Sequence, residues 1–152
     1  MKLLRFGPLG NEKPGVLDAN NNVRDLSGIV QDIDAKLIAS GGLDALLKTD
    51  IESLPIVQPE RLGACVGNVG KFICIGLNYV DHARESNLPL PTEPIVFQKA
   101  VSAISGPNDD IEIPRGATAV DWEVELGIII GAKAKYVEQK DAMDHIAGFC
   151  LD

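Results

Sequence analysis

The chain is short of basic residues. Its 152 residues include 14 Lys and Arg against 22 Asp and Glu, which gives a net charge of −8. Nucleic acids and anionic membranes are bound by clustered Lys and Arg side chains, and the sequence has no basic stretch with interleaved aromatic residues. We therefore expect a partner that is neither a nucleic acid nor a membrane.

Long hydrophobic runs and paired cysteines are also missing. Every apolar run is far shorter than the roughly 20 residues that span a bilayer, and Arg5 interrupts the run at the amino terminus, where a secretory signal would be continuous. The cysteines are odd in number and show no CxxC spacing: Cys65, Cys74 and Cys150. These absences predict a reduced protein of the cytoplasm.

Several familiar catalytic motifs do not occur. The sequence has no HExxH pair, no Gly-rich phosphate-binding loop and no nucleophile elbow. The two histidines, His82 and His145, lie far apart, which argues against a His-rich zinc site, and His145 is interpreted as structural. Asp109 and Asp110 fit a turn better than a metal site. With 45% hydrophobic and 24% charged residues, the chain has the composition of a globular protein.

A small domain is predicted over residues 1–65. A β-hairpin is predicted over residues 15–26, with three Asn at its turn. Two helices follow in the prediction, over residues 27–37 with Ser27 as the N-cap and over residues 43–48. Pro and Gly then recur between residues 51 and 70, which predicts a linker with short extended pieces and a boundary near residue 65.

A second domain, rich in strands, is predicted over residues 66–152. Strands are predicted at residues 71–77, 95–99, 111–114, 121–130 and 148–151, with a helical turn over 78–85 and a helix over 137–146. The predicted fold class is therefore α+β, mostly β. The chain ends inside the last strand, where backbone groups would lack partners, so we expect the sequence to be a fragment of a longer protein.

The strand predicted at residues 121–130 carries two acidic side chains on one face. Glu123 and Glu125 are two residues apart, and side chains at that spacing leave a strand on the same side, roughly 6–7 Å apart. Two neighbouring carboxylates repel each other, and a divalent cation would remove that repulsion because Mg²⁺ and Ca²⁺ prefer carboxylate oxygens. A solvated strand face with basic residues across the ladder is the other interpretation, and the residues alone leave both open.

Three further residues are candidates for catalysis. His82 and Glu85 are three residues apart on a predicted helical turn, so the carboxylate can orient the imidazole as a general base. The alternative is a surface helix with an uninvolved histidine. Lys99 ends a predicted strand, where its ammonium can pair with a substrate carboxylate or enolate oxygen or can simply extend to water. The Pro-containing residues 86–91 are interpreted as a lid.

Four segments, in order, resemble the fumarylacetoacetate hydrolase family. Residues 76–85 (GLNYVDHARE) resemble its G-x-N-Y-x-x-H-x-x-E motif, and residues 94–99 (PIVFQK) resemble its EPVLFLKP strand, with Ala100 where the family usually has Pro. Residues 121–127 (DWEVELG) resemble its metal-binding strand, and residues 147–151 resemble the strand before its N-D-V-S segment. The amino-terminal part is more loosely similar to the small leading domain of longer bacterial members.

The resemblance implies a fold and a metal. The second domain would be the first part of a mixed β-roll, built around Mg²⁺, or alternatively Mn²⁺ or Ca²⁺, with three carboxylate ligands. Glu123 and Glu125 match two of these ligands, and the third would fall two positions past Asp152. Family members are commonly dimers, so we expect a homodimer when the protein is intact.

The resemblance also implies an activity. The expected reaction is metal-dependent hydrolysis of a C–C bond in a small 2-oxo or 1,3-dicarbonyl acid of the fumarylacetoacetate or acylpyruvate type. Ureidoglycolate lyase, isomerase and decarboxylase activities of the same family are the first alternative. An inactive, truncated remnant is the second, and the DNA beyond the codon for Asp152 separates it from the enzyme.

Overall fold

The computed structural model describes residues 1–151, and Asp152 lies outside them. The chain divides into two compact units, one made of Met1–Asn68 with the residues from Gly106 onward, the other of Val69–Ser105. Strands predominate and the helices are short, which confirms the α+β, mostly β class. Within residues 1–151, no helix has the length and hydrophobicity that a membrane crossing requires.

An antiparallel sheet forms the larger part of the first unit. Its strands lie in the order β4-β3-β2-β1-β5, with β1 at Lys2–Phe6, β2 at Lys13–Leu17, β3 at Val23–Asp25, β4 at Ile56–Val57 and β5 at Leu62–Gly63. The β2–β3 pair is the predicted hairpin. Its turn places Asn21 in the left-handed region at φ 62°, which Asn tolerates better than most residues.

The hydrophobic core of this unit joins the sheet to two short helices, α1 (Ala35–Ala39) and α2 (Gly42–Leu47). Val16, Leu26 and Leu46 are fully buried, and Leu3 and Leu37 are among the half-buried residues that pack against them. Each buried side chain of this size stabilises the fold by about 1.5–3 kcal/mol relative to leaving it in water. The core therefore belongs to the first 54 or so residues of the chain, where its members lie.

We expect Leu46→Ala to lower the free energy of unfolding by about 2–5 kcal/mol, because it removes buried methyl groups and leaves a cavity. Leu46 is 0% exposed, whereas its neighbour Leu47 is 64% exposed. Leu47→Ala is the matched control and should change the stability by no more than about 0.5 kcal/mol. Urea unfolding followed by circular dichroism measures both. Equal losses in the two variants would contradict the placement of this core.

The first predicted helix is shorter than expected, and Ser27 is not its N-cap. The helix α1 begins after Asp34, whose Oδ1 accepts a hydrogen bond from the Leu37 N–H at 2.9 Å. Before it, Asp25 and Asp32 accept hydrogen bonds from nearby backbone N–H groups at 2.7 and 2.8 Å. Acidic side chains that bond local N–H groups compete with helix formation, so residues 26–33 form turns.

The segment predicted as a linker contributes two short strands to the sheet. A 3-10 helix at Ile51–Ser53 leads into β4 and β5, which are the two edge strands. The predicted short extended pieces are thereby confirmed. The division of the chain into domains at residue 65 stays a prediction.

The second unit is a β-hairpin with a helix in its connection. β6 (Phe72–Gly76) pairs antiparallel with β7 (Ile95–Lys99), and α3 (Val80–Glu85) lies between them in the chain, with a 3-10 helix at Val101–Ala103 after β7. The two strands and the helical turn predicted here are confirmed. Only Ala83 is fully buried among these elements.

The last elements return to the first unit. β8 (Leu126–Ile130) pairs antiparallel with β9 (Ile146–Leu151), and the segment between them contains a 3-10 helix at Gln139–His145 where an α-helix was predicted. The strand predicted at residues 121–130 is wrong in its first half, and the strand predicted at residues 111–114 is also wrong. The register pairs Leu126 with Leu151, the last described residue of β9.

Candidate functional site

The motif at residues 76–85 forms a strand, a strained turn and a helix. Leu77 connects β6 to α3 at φ 49°. Residues with bulky side chains rarely occupy this left-handed region. Such a residue costs on the order of 1–3 kcal/mol and tends to occur where function requires a particular backbone path. The turn directs the chain from Gly76 into the helix that carries His82 and Glu85.

His82 and Glu85 lie one turn apart on α3, and both are exposed. The helix ends in a left-handed Asn87 at φ 52°, with hydrogen bonds from Leu88 N–H to the Ala83 carbonyl at 2.9 Å and from Asn87 N–H to Arg84. This paired arrangement fixes the helix end. Within the described chain, no hydrogen bond joins the His82 and Glu85 side chains, so the orientation of the imidazole by Glu85 stays a prediction.

Lys99 lies at the end of β7, opposite Phe72 in the register of the hairpin. Its ammonium nitrogen is 5.9 Å from the centre of the Phe72 ring, within the distance at which a cation is attracted to an aromatic face. The ring holds the ammonium near the end of the strand. His82, Glu85 and Lys99 therefore all belong to the unit of residues 69–105.

An open groove of about 270 Å³ lies in the same unit, next to the strained turn. Both apolar and polar residues line this groove. The lining residues are Ile75, Gly76, Leu77, Asn78, Pro91, Thr92, Glu93 and Pro94. A mostly apolar groove with a few polar groups is typical of sites for small organic molecules. The prediction assigned no role to Asn78, Thr92 or Glu93, because nothing local in the sequence indicates that residues 75–78 and 91–94 share one groove.

Glu123 and Glu125 lie in the irregular residues that lead into β8, so the prediction that a strand carries them is wrong. Glu123 is exposed and Glu125 half-buried, and the neighbouring Trp122 is 81% exposed. The described chain contains no group of three His, Cys, Asp or Glu residues that could hold a metal ion. It therefore offers two carboxylates at this place, and their role as metal ligands stays a prediction.

A set of organised charges lies elsewhere, around Arg61. Its guanidinium binds Asp109 through two hydrogen bonds and also binds Glu12. Hydrogen bonds from Arg61, together with the Gly106 N–H, hold the pKa of Asp109 below its usual range. Burial would raise the pKa of Glu12, but the nearby backbone N–H groups and Arg61 outweigh burial and lower it. The same two carboxylates raise the pKa of Arg61.

Two predictions about single residues can be placed on this structure. Asp109 fills a turn, as predicted, because its side chain accepts a hydrogen bond from the Gly106 N–H at 2.7 Å. His145 ends the 3-10 helix before β9, and its carbonyl accepts a hydrogen bond from the Gly131 N–H at 2.7 Å. Its buried Nδ1 atom has no hydrogen-bond partner in the described chain. The backbone contact agrees with a structural role for His145.

Comparison with known proteins relates the chain to one family. The sequence profile described as fumarylacetoacetate (FAA) hydrolase, C-terminal, matches residues 71–151. A protein of Burkholderia cenocepacia with the provisional name of a hydrolase is 55% identical over 152 residues, which cover 99% of this chain and 54% of that protein. The chain thus spans about half the length of the curated relatives it matches.

Two solved structures are similar to the chain. The fumarylacetoacetate hydrolase of the psychrophile Exiguobacterium antarcticum superposes with a TM-score of 0.79 at 30% identity, and the alignment covers 99% of this chain and 54% of that one. The maleylpyruvate hydrolase of Sphingobium sp. SYK-6, in complex with manganese(II) and pyruvate, has a TM-score of 0.75 at 25% identity and covers 99% and 57%. Both alignments extend over nearly the whole chain.

Proposed function

The chain belongs to the fumarylacetoacetate hydrolase family, and from this premise we propose that it carries the metal-binding and proton-transfer residues of a hydrolase that cleaves a C–C bond in a 2-oxo or 1,3-dicarbonyl acid. One observation carries the proposal: the matched residues 71–151 contain every candidate, namely His82, Glu85, Lys99, Glu123 and Glu125. The manganese and pyruvate of the Sphingobium hydrolase support a divalent cation and a small 2-oxo acid as ligands.

The donors at Glu123 and Glu125 fit a hard divalent cation in their chemistry. Mg²⁺ is commonly held by one or two protein carboxylates while water and substrate oxygens complete its shell. We name Mg²⁺ as the expected ion, with Mn²⁺ and Ca²⁺ as alternatives that the same oxygens hold. When bound, the cation would supply Lewis acidity that stabilises negative charge on the carbonyl oxygens of the substrate.

The other candidates would act on protons and charge. His82 takes a proton from water, and Glu85, one helical turn away, stabilises the imidazolium that results. The hydroxide adds to the acyl carbon, the C–C bond breaks, and the carbon that leaves receives the proton from His82. The balance is one water added across one C–C bond, which yields a carboxylic acid and a shorter 2-oxo acid. Lys99 offsets the negative charge that develops on oxygen.

Removal of divalent ions tests this function. In the protein as its gene encodes it, we expect chelation by EDTA to lower the hydrolysis of an acylpyruvate by about 100-fold or more, since metal polarisation contributes several kcal/mol. Loss of the ultraviolet absorbance of the 1,3-dicarbonyl measures the rate, and EDTA saturated with Mg²⁺ is the control. Restoration by Mg²⁺ or Mn²⁺ would support the proposal. Turnover that persists without divalent ions would overturn it.

Two further experiments distinguish the proposed hydrolase from its alternatives. Product analysis by NMR distinguishes hydrolysis from the lyase, isomerase and decarboxylase alternatives, because only hydrolysis yields two carboxyl-bearing fragments with incorporated water oxygen. The DNA after the codon for Asp152 tests the remnant alternative. An in-frame continuation into Asn-Asp supports the enzyme, whereas a stop codon supports a remnant.

The remaining expectations are proposals that the resemblance alone supports. We propose a homodimer in the cytoplasm and a division between a small domain of residues 1–65 and a catalytic part from residue 66 onward. Light scattering on the purified protein measures its oligomeric state. Limited proteolysis tests the division, because a boundary near residue 65 predicts an early cut close to it.

A further inference from the structure

Arg61 joins the two parts of the first unit that are distant in sequence. Its Nε and Nη2 atoms donate to the two carboxylate oxygens of Asp109 at 2.7 and 2.6 Å. Its Nη1 atom donates to the Gly7 carbonyl and to Glu12 Oε1, both at 3.0 Å. A guanidinium that binds a carboxylate through two parallel hydrogen bonds gives the strongest and most directional ion pair available to side chains. Asp109 is therefore held in position as well as attracted.

The pair belongs to a cluster of alternating charges, which we name the Arg61 cluster. It consists of Asp32, Arg5, Glu12, Arg61 and Asp109, joined in that order by contacts of 2.6 to 3.5 Å. The central Glu12 side chain is only 8% exposed. Ion pairs that are partly buried are screened less by salt than exposed ones, so the cluster is more than a solvated surface pair.

Glycines allow the backbone to approach this cluster closely. Gly106 is buried, and a Cβ atom there would overlap the carbonyl oxygen of Leu62 in β5. A Cβ atom on Gly63 would lie 2.7 Å from the Cγ atom of Glu12. The turn that carries Asp109 is thus packed against the edge of the sheet by its backbone, and the ion pair closes over that contact.

The turn that carries Asp109 begins a long irregular connection. Residues 110–125 follow Asp109 and are almost all exposed, and β8 then pairs with β9. The connection is therefore fixed at both ends, and its last residues include Glu123 and Glu125. Fixing both ends of an irregular segment reduces the conformational entropy that it loses when a ligand orders it.

We propose that Arg61 is a positioning residue for the candidate metal ligands. By holding Asp109, it fixes the near end of residues 110–125 and so favours the ordering of Glu123 and Glu125 around a cation. This inference rests on the proposed function. Four of the five N–H groups of Arg61 already donate to protein oxygens, which favours a structural role over substrate binding.

A Mn²⁺ titration tests the inference in the protein as its gene encodes it. Trp122, the single tryptophan of this sequence, is exposed beside Glu123, and Mn²⁺ bound there quenches its fluorescence. We expect Arg61→Ala to weaken the Mn²⁺ affinity about threefold to tenfold, since the freed connection loses more entropy on binding. Asp109→Asn should have the same effect, and Arg61→Lys, which keeps the charge but not the paired geometry, should lie between wild type and Arg61→Ala.

Arg24→Ala is the matched control. Arg24 is buried in the sheet and likewise binds two carboxylates, those of Asp18 and Glu52, at 2.8 Å, but β3 lies away from β5 in the strand order. It should lower the unfolding temperature as Arg61→Ala does while leaving the Mn²⁺ affinity within about twofold. Calorimetry repeats the titration independently of fluorescence.

The outcomes separate this inference from the function on which it rests. If wild type binds Mn²⁺ and Asp109→Asn binds it equally well, Arg61 has no positioning role and the proposed function is unaffected. If Arg24→Ala weakens binding as much as Arg61→Ala does, the effect is one of general stability and the inference is again overturned. If wild type binds no Mn²⁺ near Trp122, the metal site itself is refuted.

Discussion

Glu123→Gln should lower the Mn²⁺ affinity of the protein by about 100-fold or more. Loss of a partner outside the ligand shell typically weakens a metal site 10- to 100-fold, and the loss of a charged ligand should exceed that. Gln keeps the length of the side chain, so the change removes charge without altering packing. Isothermal titration calorimetry on the protein as its gene encodes it measures the affinity, and Glu125→Gln should behave in the same way.

Glu112→Gln is the matched control for this experiment. Glu112 is an exposed carboxylate of the same irregular connection, so its replacement changes the net charge equally. We expect its Mn²⁺ affinity to remain within about twofold of wild type, as a long-range charge effect is screened in salt. Wild-type affinity in Glu123→Gln would place the cation elsewhere. An equal loss in Glu112→Gln would show that only overall charge matters.

His82→Gln should lower kcat by about 10²- to 10⁴-fold, which is the usual contribution of a positioned general base. Gln can donate and accept hydrogen bonds but cannot take up a proton at neutral pH. The Mn²⁺ affinity should be unchanged, because His82 belongs to α3 and is not among the candidate carboxylates. Acylpyruvate hydrolysis and calorimetry, measured on one preparation, distinguish a lost proton transfer from a lost metal.

Asp81→Asn serves as the control on the same helix. Asp81 is exposed and pairs with Arg84 at 3.5 Å, an interaction worth about 0–1 kcal/mol. Its kcat should stay within about threefold of wild type. A wild-type kcat in His82→Gln would remove the imidazole from the proposed chemistry, whereas a loss shared by both variants would indicate damage to α3.

Local patterns in the sequence predict the β2–β3 hairpin and the strands β6 and β7 correctly. The β2–β3 hairpin follows from its Asn-rich turn, and the strands β6 and β7 follow from short apolar runs. In each case the information lies within a few residues of the element it specifies. The early helix is misplaced in the prediction, because Asp34 and not Ser27 caps it, through a hydrogen bond from the Leu37 N–H.

The end of a strand depends on residues far away. The alternation of polar and apolar residues continues through Glu123 and Glu125, yet the strand begins only at Leu126. In the register with β9, Leu126 faces Leu151, the last residue of that strand that the structure describes. Alternation describes which side chains could share a face, and it carries no information about which backbone groups find a ladder partner.

The ion pair between Asp109 and Arg61 could not be predicted from local sequence patterns either. Arg61 is 48 residues away from it, and one arginine in a Gly- and Pro-containing segment has no pattern of its own. The role of the nearby glycines is visible only in the structure, where the absence of a side chain at Gly63 and Gly106 leaves room for the Arg61 cluster. Residues that look like a linker in the sequence instead supply both edge strands of the sheet.

The order of the sheet has a consequence for how the protein is made. All five of its strands lie within the first 63 residues, so they emerge from the ribosome before Asp109 does. Domains generally fold as units from the amino terminus during synthesis. The sheet, with Arg61 and Glu12 already in contact, is then a finished surface on which Asp109 docks when it emerges, about 48 codons after its arginine.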